Sequence, residues 1–268
     1  MVIPFLKAEV VELWRSRALL VMMARRELAA RHAGSVLGVF WLYAQPLLTI
    51  AAYYLVFDVV FEMRMGSGAP TRSAGIYLIV GMVPWVAFSE STSRGMASLL
   101  EAGGLLQKNP LPPALFPARA LVTSAVTYLP LTLLLVVAYA PLHRFSAALL
   151  LLPVLLVLTL VLWFLIAYAL AILVAALRDI AQIVGFFLGI GAFVSPVLFP
   201  PAMFPQGLAW LLWLNPITPS VLGFQSLLLS GEVPGAGVWI GLACWTVVLG
   251  LLLDRLVMRS REQLVDWL

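Results

Sequence analysis

Long apolar runs separated by short charged stretches set the pattern of this chain. Residues 36–57, 120–142, 180–199 and 233–253 carry no charge. Each run is close to the ~20 residues that a helix needs to cross ~30 Å of hydrocarbon. Residues 73–93 form a similar run with one carboxylate, Glu90, near its far end, and residues 145–177 form a longer one that contains Pro153. The apolar residues come in continuous blocks, whereas membrane strands alternate over ~10 residues. Six membrane-spanning helices are therefore predicted. The window 208–230 is uncharged too, but Asn215-Pro216-Ile217-Thr218-Pro219 interrupts it. Two prolines there remove backbone donors and clash with the preceding turn. A re-entrant pair of short helices between spans five and six fits better than a seventh crossing, provided protein covers the broken ends.

Composition leaves little room for a soluble protein. Of 268 residues, 63% are apolar and 10% are charged, against ~45–50% and ~25% in soluble domains. The mean hydropathy is +1.06. The fold class expected is an all-α integral membrane protein. The net charge of +4 does not point to nucleic acid, because the basic residues are placed topologically. With six crossings and both termini in the cytoplasm, thirteen of the sixteen Lys and Arg residues fall inside, leaving Arg64, Arg72 and Arg144 outside. The positive-inside rule favours this arrangement over seven crossings.

Residues 1–35 are too charged to span. Val10, Leu13, Leu20, Ala24 and Leu28 recur at helical steps, with Arg17 intruding on the stripe. The reading is an amphipathic helix in the membrane interface, its arginines reaching headgroups, or else a solvated arm. Residues 36–257 then form the membrane domain and residues 258–268 a basic tail. No cleavable signal peptide is expected, since Lys7, Glu9, Glu12, Arg15 and Arg17 come before any apolar core. Cys244, the single cysteine, lies in an apolar run and reads as a buried small hydrophobe.

The usual catalytic and energy-transducing groups are missing from this sequence. Lys7 and Lys108 are the two lysines, and neither follows a glycine-rich phosphate loop. His32 and His143 are expected on opposite membrane faces, so a shared metal site is not expected. Glu90 lacks a partner carboxylate for acid–base work or a proton relay. No cofactor is expected in this chain, and any energy source belongs to a partner.

Some polar constellations remain. Trp41, Gln45, Thr49 and Tyr53 recur at four-residue steps, about 40° apart around a helix. They form one face that either lines a passage suited to sugar rings or supplies interhelical hydrogen bonds. Gly185 with Gly189, and Gly237 with Gly241, have the spacing of close helix contacts. Glu90 is either an interfacial anchor or half of a gating pair with Arg94. The loop of residues 94–119 is rich in Gly and Pro. Its stretch 99–108 is either a short cytoplasmic helix gripped by a partner or a plain loop.

These residues also resemble a known family. Arg31-x-x-x-Ser35-x-Leu37-Gly38-x-x-Trp41-x-x-x-x-Pro46 resembles the entry to the first span in permeases of type-two ABC exporters of cell-surface polysaccharide. Leu105-Leu106-Gln107-Lys108 with Leu111-Pro112 and Pro117 is similar to that family's loop after span two. Arg178-Asp179-Ile180 resembles its turn between spans four and five. Ser195-Pro196 and Leu214-Asn215-Pro216-Ile217-Thr218-Pro219 resemble its external re-entrant region, and residues 259–268 its basic tail. One departure is Gln107-Lys108-Asn109-Pro110, where relatives often carry two basic residues and an aromatic.

The resemblance implies a homodimeric conduit in the bacterial cytoplasmic (inner) membrane, docked on separate ABC ATPase subunits that bind ATP and Mg. Its cargo would be a lipid-linked polysaccharide, such as an O-antigen on undecaprenyl diphosphate. The family's transmission roles would fall on residues 18–35 and 99–113, and an exit gate on residues 202–214 and 216–230. Candidate gating and coupling residues are Arg31, Glu90, Arg94, Glu101, Lys108, Arg178 and Asp179. Asn215, Pro216 and Pro219 are the external gate candidates, and Trp41, Gln45, Thr49 and Tyr53 the pathway. A drug- or lipid-exporting permease of the same architecture is the alternative, and an intramembrane enzyme acting on polyprenyl-linked sugars a remoter one.

Overall fold

The structure, a computed structural model, describes residues 4–31, 34–38, 40–64, 70–143, 146–261 and 263–268; His32 lies outside the described residues. Two helices, α1 (Pro4–Arg15) and α2 (Arg17–Arg31), form the amino-terminal arm. Then come α3 (Phe40–Tyr54), α4 (Ala74–Glu101), the single turn α5 (Gly103–Leu106), α6 (Leu115–His143), α7 (Leu152–Ala176) and α8 (Asp179–Val194). The remainder comprises α9 (Trp210–Leu214), α10 (Thr218–Gln225), α11 (Ala236–Ser260) and α12 (Leu264–Trp267). Among the described residues there is no strand beyond an isolated bridge between Arg64 and Ser73.

Among the described residues, five helical segments are long and apolar enough to cross a membrane: Phe40–Val60, Ala74–Glu101, Leu115–Val137, Ala147–Ala176 and Ala236–Ser260. The predicted fifth span is shorter than expected. Its helix, α8, has 16 residues, about 24 Å at ~1.5 Å per residue, and gives way at Ser195 to a run of turns over residues 195–198.

Local chemistry accounts for the helix limits. Ser73 caps α4, its hydroxyl accepting from the Ile76 amide at 3.0 Å. The helix then continues about two turns beyond residue 93, because Met96 and Leu99 keep its inner face buried. Likewise α11 runs on to Ser260, with Leu253 and Val257 buried. Asp58 does not end the first span, which passes through it as a π-helical stretch, Leu55–Val60. Of the expected external pair, residues 202–214 break into the 3-10 turns Pro201–Met203 and Gln206–Leu208 before α9. Residues 216–230 do form a helical unit, α10 continued by a π-turn, which stops at Gly231 in the left-handed region (φ 64°).

Helix α4 is the hub, packed on α6, α7, α8 and α10, while α11 packs on α7. Of the apolar stretch of α4, 72% is buried, against 11% for α3. Close crossings depend on glycine: a Cβ at Gly95 would stand 2.7 Å from the Ala167 Cβ. One apolar cluster joins Tyr77, Val80, Leu155, Leu162, Ile217 and Val221. A second, at the other end, joins Leu99, Leu115, Phe116, Tyr168 and Leu253 to Leu20 of α2 and Leu264 of α12.

The amino-terminal stripe packs inward in its α2 part, whereas Val10 of α1 is exposed. Leu20 and Ala24 are buried as α2 lies along α6, and α1 meets α11. Arg17 turns away from it, its guanidinium 5.1 Å from the Trp14 ring centre. Cys244 is exposed, not buried. It lies on the outer side of α11 with Ile240, Val247 and Val248, an apolar face directed away from the bundle. The two glycine pairs also differ. Gly237 and Gly241 pack against the Trp213 ring, at 3.1 and 3.2 Å for an added Cβ, whereas Gly185 and Gly189 have nothing within 4 Å.

Candidate functional site

The four-residue spacing along α3 turns Trp41, Gln45, Thr49 and Tyr53 toward one cavity of about 570 Å³. Its opposite walls come from α4, through Ile79, Met82, Val83 and Val86, and from α6, through Thr127, Tyr128 and Leu131. Thr49 donates to the Gln45 carbonyl of its own helix at 3.0 Å. Its hydroxyl is therefore engaged locally, and not as an interhelical link. Helix α3 is tied to α6 instead by Tyr43, whose hydroxyl donates to the Val126 carbonyl at 3.5 Å. The cavity is thus amphipathic, with aromatic and hydroxyl-bearing side chains from α3 and α6 and an apolar wall from Ile79, Met82, Val83 and Val86 of α4.

Its α2 end is ionic. Arg31, Glu90 and Arg94 line it, and Glu90 sits between the two cations, 2.7 Å from Arg31 Nη1 and 3.2 Å from Arg94 Nε. The Glu90–Arg94 pair expected from the sequence therefore forms, with Arg31 as the closer partner. Two residues that the sequence did not single out complete the cluster. Glu27 Oε1 meets Arg31 Nη2 at 3.1 Å and Arg94 Nη1 at 3.2 Å, while Oε2 meets Arg119 Nε at 2.8 Å. Arg119 also approaches the exposed Glu101 at 3.8 Å. Three arginines and three glutamates from α2, α4 and α6 thus neutralise one another, which makes their half-buried position tolerable. Glu27 carries no local signal of this, because its partners Arg94 and Arg119 lie far away in sequence.

The other coupling candidates lie apart from the cavity. Lys108 is exposed after α5, and Arg178 and Asp179 are exposed at the start of α8. The expected short helix within residues 99–108 is reduced to the single turn α5, because Leu99–Glu101 belong to α4.

At the opposite end, Asn215 donates to Ser195 Oγ at 2.7 Å, and its own Oδ1 accepts from the Ile217 amide at 3.1 Å. Pro216 is half-buried, and Pro219 is buried, its ring next to Gly241. Two side chains missed by the sequence reading, Tyr77 and Gln225, hold the break after α8. Both donate to the Pro196 carbonyl, at 2.9 and 2.8 Å. Asp58, near the end of α3, accepts from Ser73 Oγ and pairs with Arg64 at 3.0 Å.

Outside the apolar bundle, α1 carries a carboxylate of its own. Tyr168 donates to Glu9 Oε2 at 3.0 Å. Burial, assisted by the neighbouring Glu12 charge, pushes the Glu9 carboxyl above the usual carboxylate range.

Residues 18–229 match the ABC-2 type transporter family. The chain belongs to that family. The match runs from the start of α2 to the end of the π-turn after α10, so it takes in both ends of the cavity. Together with the five helices among the described residues that are long and apolar enough to cross a membrane, this ABC-2 membership makes the chain a multi-pass integral membrane protein. Among similar proteins, the O-antigen export system permease protein RfbA of Myxococcus xanthus is 29% identical over 260 residues, covering 95% of this chain and 97% of that protein. RfbA of Klebsiella pneumoniae, a protein of the same description, is 24% identical over 216 residues, covering 80% and 81%. A second K. pneumoniae RfbA is 22% identical over 218 residues, covering 80% and 82%.

Proposed function

We propose that this chain is the membrane subunit of an ATP-driven ABC exporter that moves a lipid-linked polysaccharide, of the O-antigen kind, across the bacterial cytoplasmic membrane. It is a transport subunit, with ATP and Mg bound by a separate ATPase. Two copies form the conduit. Six crossings complete its topology, α8 with the turn residues 195–199 that follow it making the fifth, and both termini face the cytoplasm.

The observation that carries this reading is the cavity wall of Trp41, Gln45, Thr49 and Tyr53. An aromatic ring stacks on the C–H face of a pyranose, and nearby amide and hydroxyl groups exchange hydrogen bonds with sugar hydroxyls. Such contacts are individually weak, so a polymer can slide past them. The similarity to O-antigen export permeases over most of the chain supports the cargo class.

Force would enter where the arm and the loop after α4 meet the bundle. Helix α2 is joined to α4 through Glu27, Arg31, Glu90 and Arg94, and to α6 through Glu27 and Arg119, so displacement of α2 by an ATPase partner would act directly on the cavity wall. Asn215, Pro216 and Pro219 would form the opposite gate. The test is to purify the chain with its co-purifying ATPase and measure ATP hydrolysis with and without lipid-linked glycan. Stimulation by the glycan supports the reading. The absence of any associated ATPase contradicts it.

A further inference from the structure

The two arginines at the cavity's α2 end are arranged for more than pairing with Glu27 and Glu90. Arg31, Glu90, Arg94 and Glu27 form a closed ring in which each carboxylate bridges both guanidinium groups through one oxygen. Glu90 is the member that lines the cavity with them. Arg31 Nε is buried and has no hydrogen-bond partner among the described residues, although a buried guanidinium donor normally finds one. Next to this ionic end the wall turns aliphatic, with Ile79, Met82, Val83, Val86 and Leu131.

We propose that this end of the cavity is a binding site for the phosphate headgroup of an amphiphile, and that Glu90 fills it as an internal substitute which the ligand displaces. A phosphate presents three acceptor oxygens where Glu90 uses one, and the planar guanidinium fork matches that geometry. It engages Arg31 and Arg94 together and supplies an acceptor for Arg31 Nε. The aliphatic wall takes the hydrocarbon tail, so a free inorganic anion uses only half of the site. Glu27 stays in place, bound to Arg119, and keeps the arginines partly neutralised after Glu90 leaves. The inference deepens the exporter reading, in which a carrier lipid brings a phosphate-linked head to this cavity. It is tested by binding alone, so its failure leaves export untouched, and a failure of export leaves the binding result standing.

The purified full-length chain in detergent is titrated with farnesyl phosphate, farnesol and inorganic phosphate, followed by tryptophan fluorescence, since Trp41 lines the cavity. Farnesyl phosphate should bind about ten-fold or more tighter than either other probe, the scale of one charge-assisted hydrogen bond. Arg94→Gln should weaken it by a similar factor, and so should Arg31→Lys, which keeps the charge but loses the fork. Glu90→Gln should tighten it several-fold, a gain that misfolding cannot produce. Unchanged or weaker binding by Glu90→Gln overturns the proposal. So does equal binding of farnesyl phosphate and either farnesol or inorganic phosphate.

Discussion

Replacing Glu27 with alanine probes the junction between the amino-terminal arm and the bundle. The side chains of Glu27, Arg31 and Arg119 are only 17%, 12% and 22% exposed, so their two contacts at 3.1 and 2.8 Å are partly desolvated. Removing one member of a fully buried pair costs ~3–5 kcal/mol, whereas an exposed pair contributes ~0–1 kcal/mol. Arg94 is 42% exposed, so its contact with Glu27 belongs to the weaker class. Arg31 and Arg94 also keep Glu90. Glu27→Ala should therefore weaken the docking of α2 by about 2–3 kcal/mol, between these limits. Hydrogen exchange of the α2 amides in the purified protein measures this locally. At ~1.36 kcal/mol per decade, exchange in α2 should accelerate by about 30- to 160-fold, while α4 and α7 stay protected. Unchanged exchange in α2, with the substituted protein otherwise folded, would refute the claim that Glu27 fastens the arm.

Trp41→Ala and Tyr53→Ala should lower surface display of the exported glycan without changing the amount of protein in the membrane, read by immunoblot of membranes and of surface glycan. Gly81→Ala should destabilise the fold by about 1–3 kcal/mol through overpacking, since its Cβ would stand 2.9 Å from the Val197 carbonyl oxygen and 3.1 Å from Gln225 Nε2. Gly185→Ala, with nothing within 4 Å, should leave the melting temperature of the monomer within a degree or two. For Glu9, whose pKa is raised in the folded chain by burial, the native state holds its proton more tightly than the unfolded one. Stability from this group is therefore greatest at low pH and falls as pH rises from the ordinary carboxylate range through the raised value. Exchange of α1 amides should quicken over that window, and Glu9→Gln should remove the dependence.

Much of this architecture was readable from local pattern. The α3 face follows from four-residue spacing alone, and the structure turns all four side chains into one cavity. Glu90 stood out because a carboxylate in an apolar run has to find a partner, and Arg94 lies one turn away on the same helix. What stayed hidden was long-range. Glu27 and Arg119 sit in segments with no special spacing, and their pairing exists only once α2 lies along α6. Tyr77 and Gln225 are likewise ordinary in sequence and gain meaning by converging on the Pro196 carbonyl, 119 and 29 residues away. Cys244 is exposed although its run is apolar, because an apolar run does not say which face of its helix looks inward. The glycine pairs have identical spacing, yet only one meets a neighbour within the chain. The first external helix is shorter than its apolar stretch suggests, because Pro200, Pro201 and Pro205 break the segment into single turns.

The most direct test of the central claim is transport in sealed vesicles. The chain is reconstituted with and without its co-purifying ATPase, and accumulation of lipid-linked glycan is followed on the far side of the bilayer. The expected result is ATP-dependent accumulation with the partner and none with the chain alone. Transport by the chain alone, or transport indifferent to ATP, would contradict the reading of this protein as a conduit driven by another subunit.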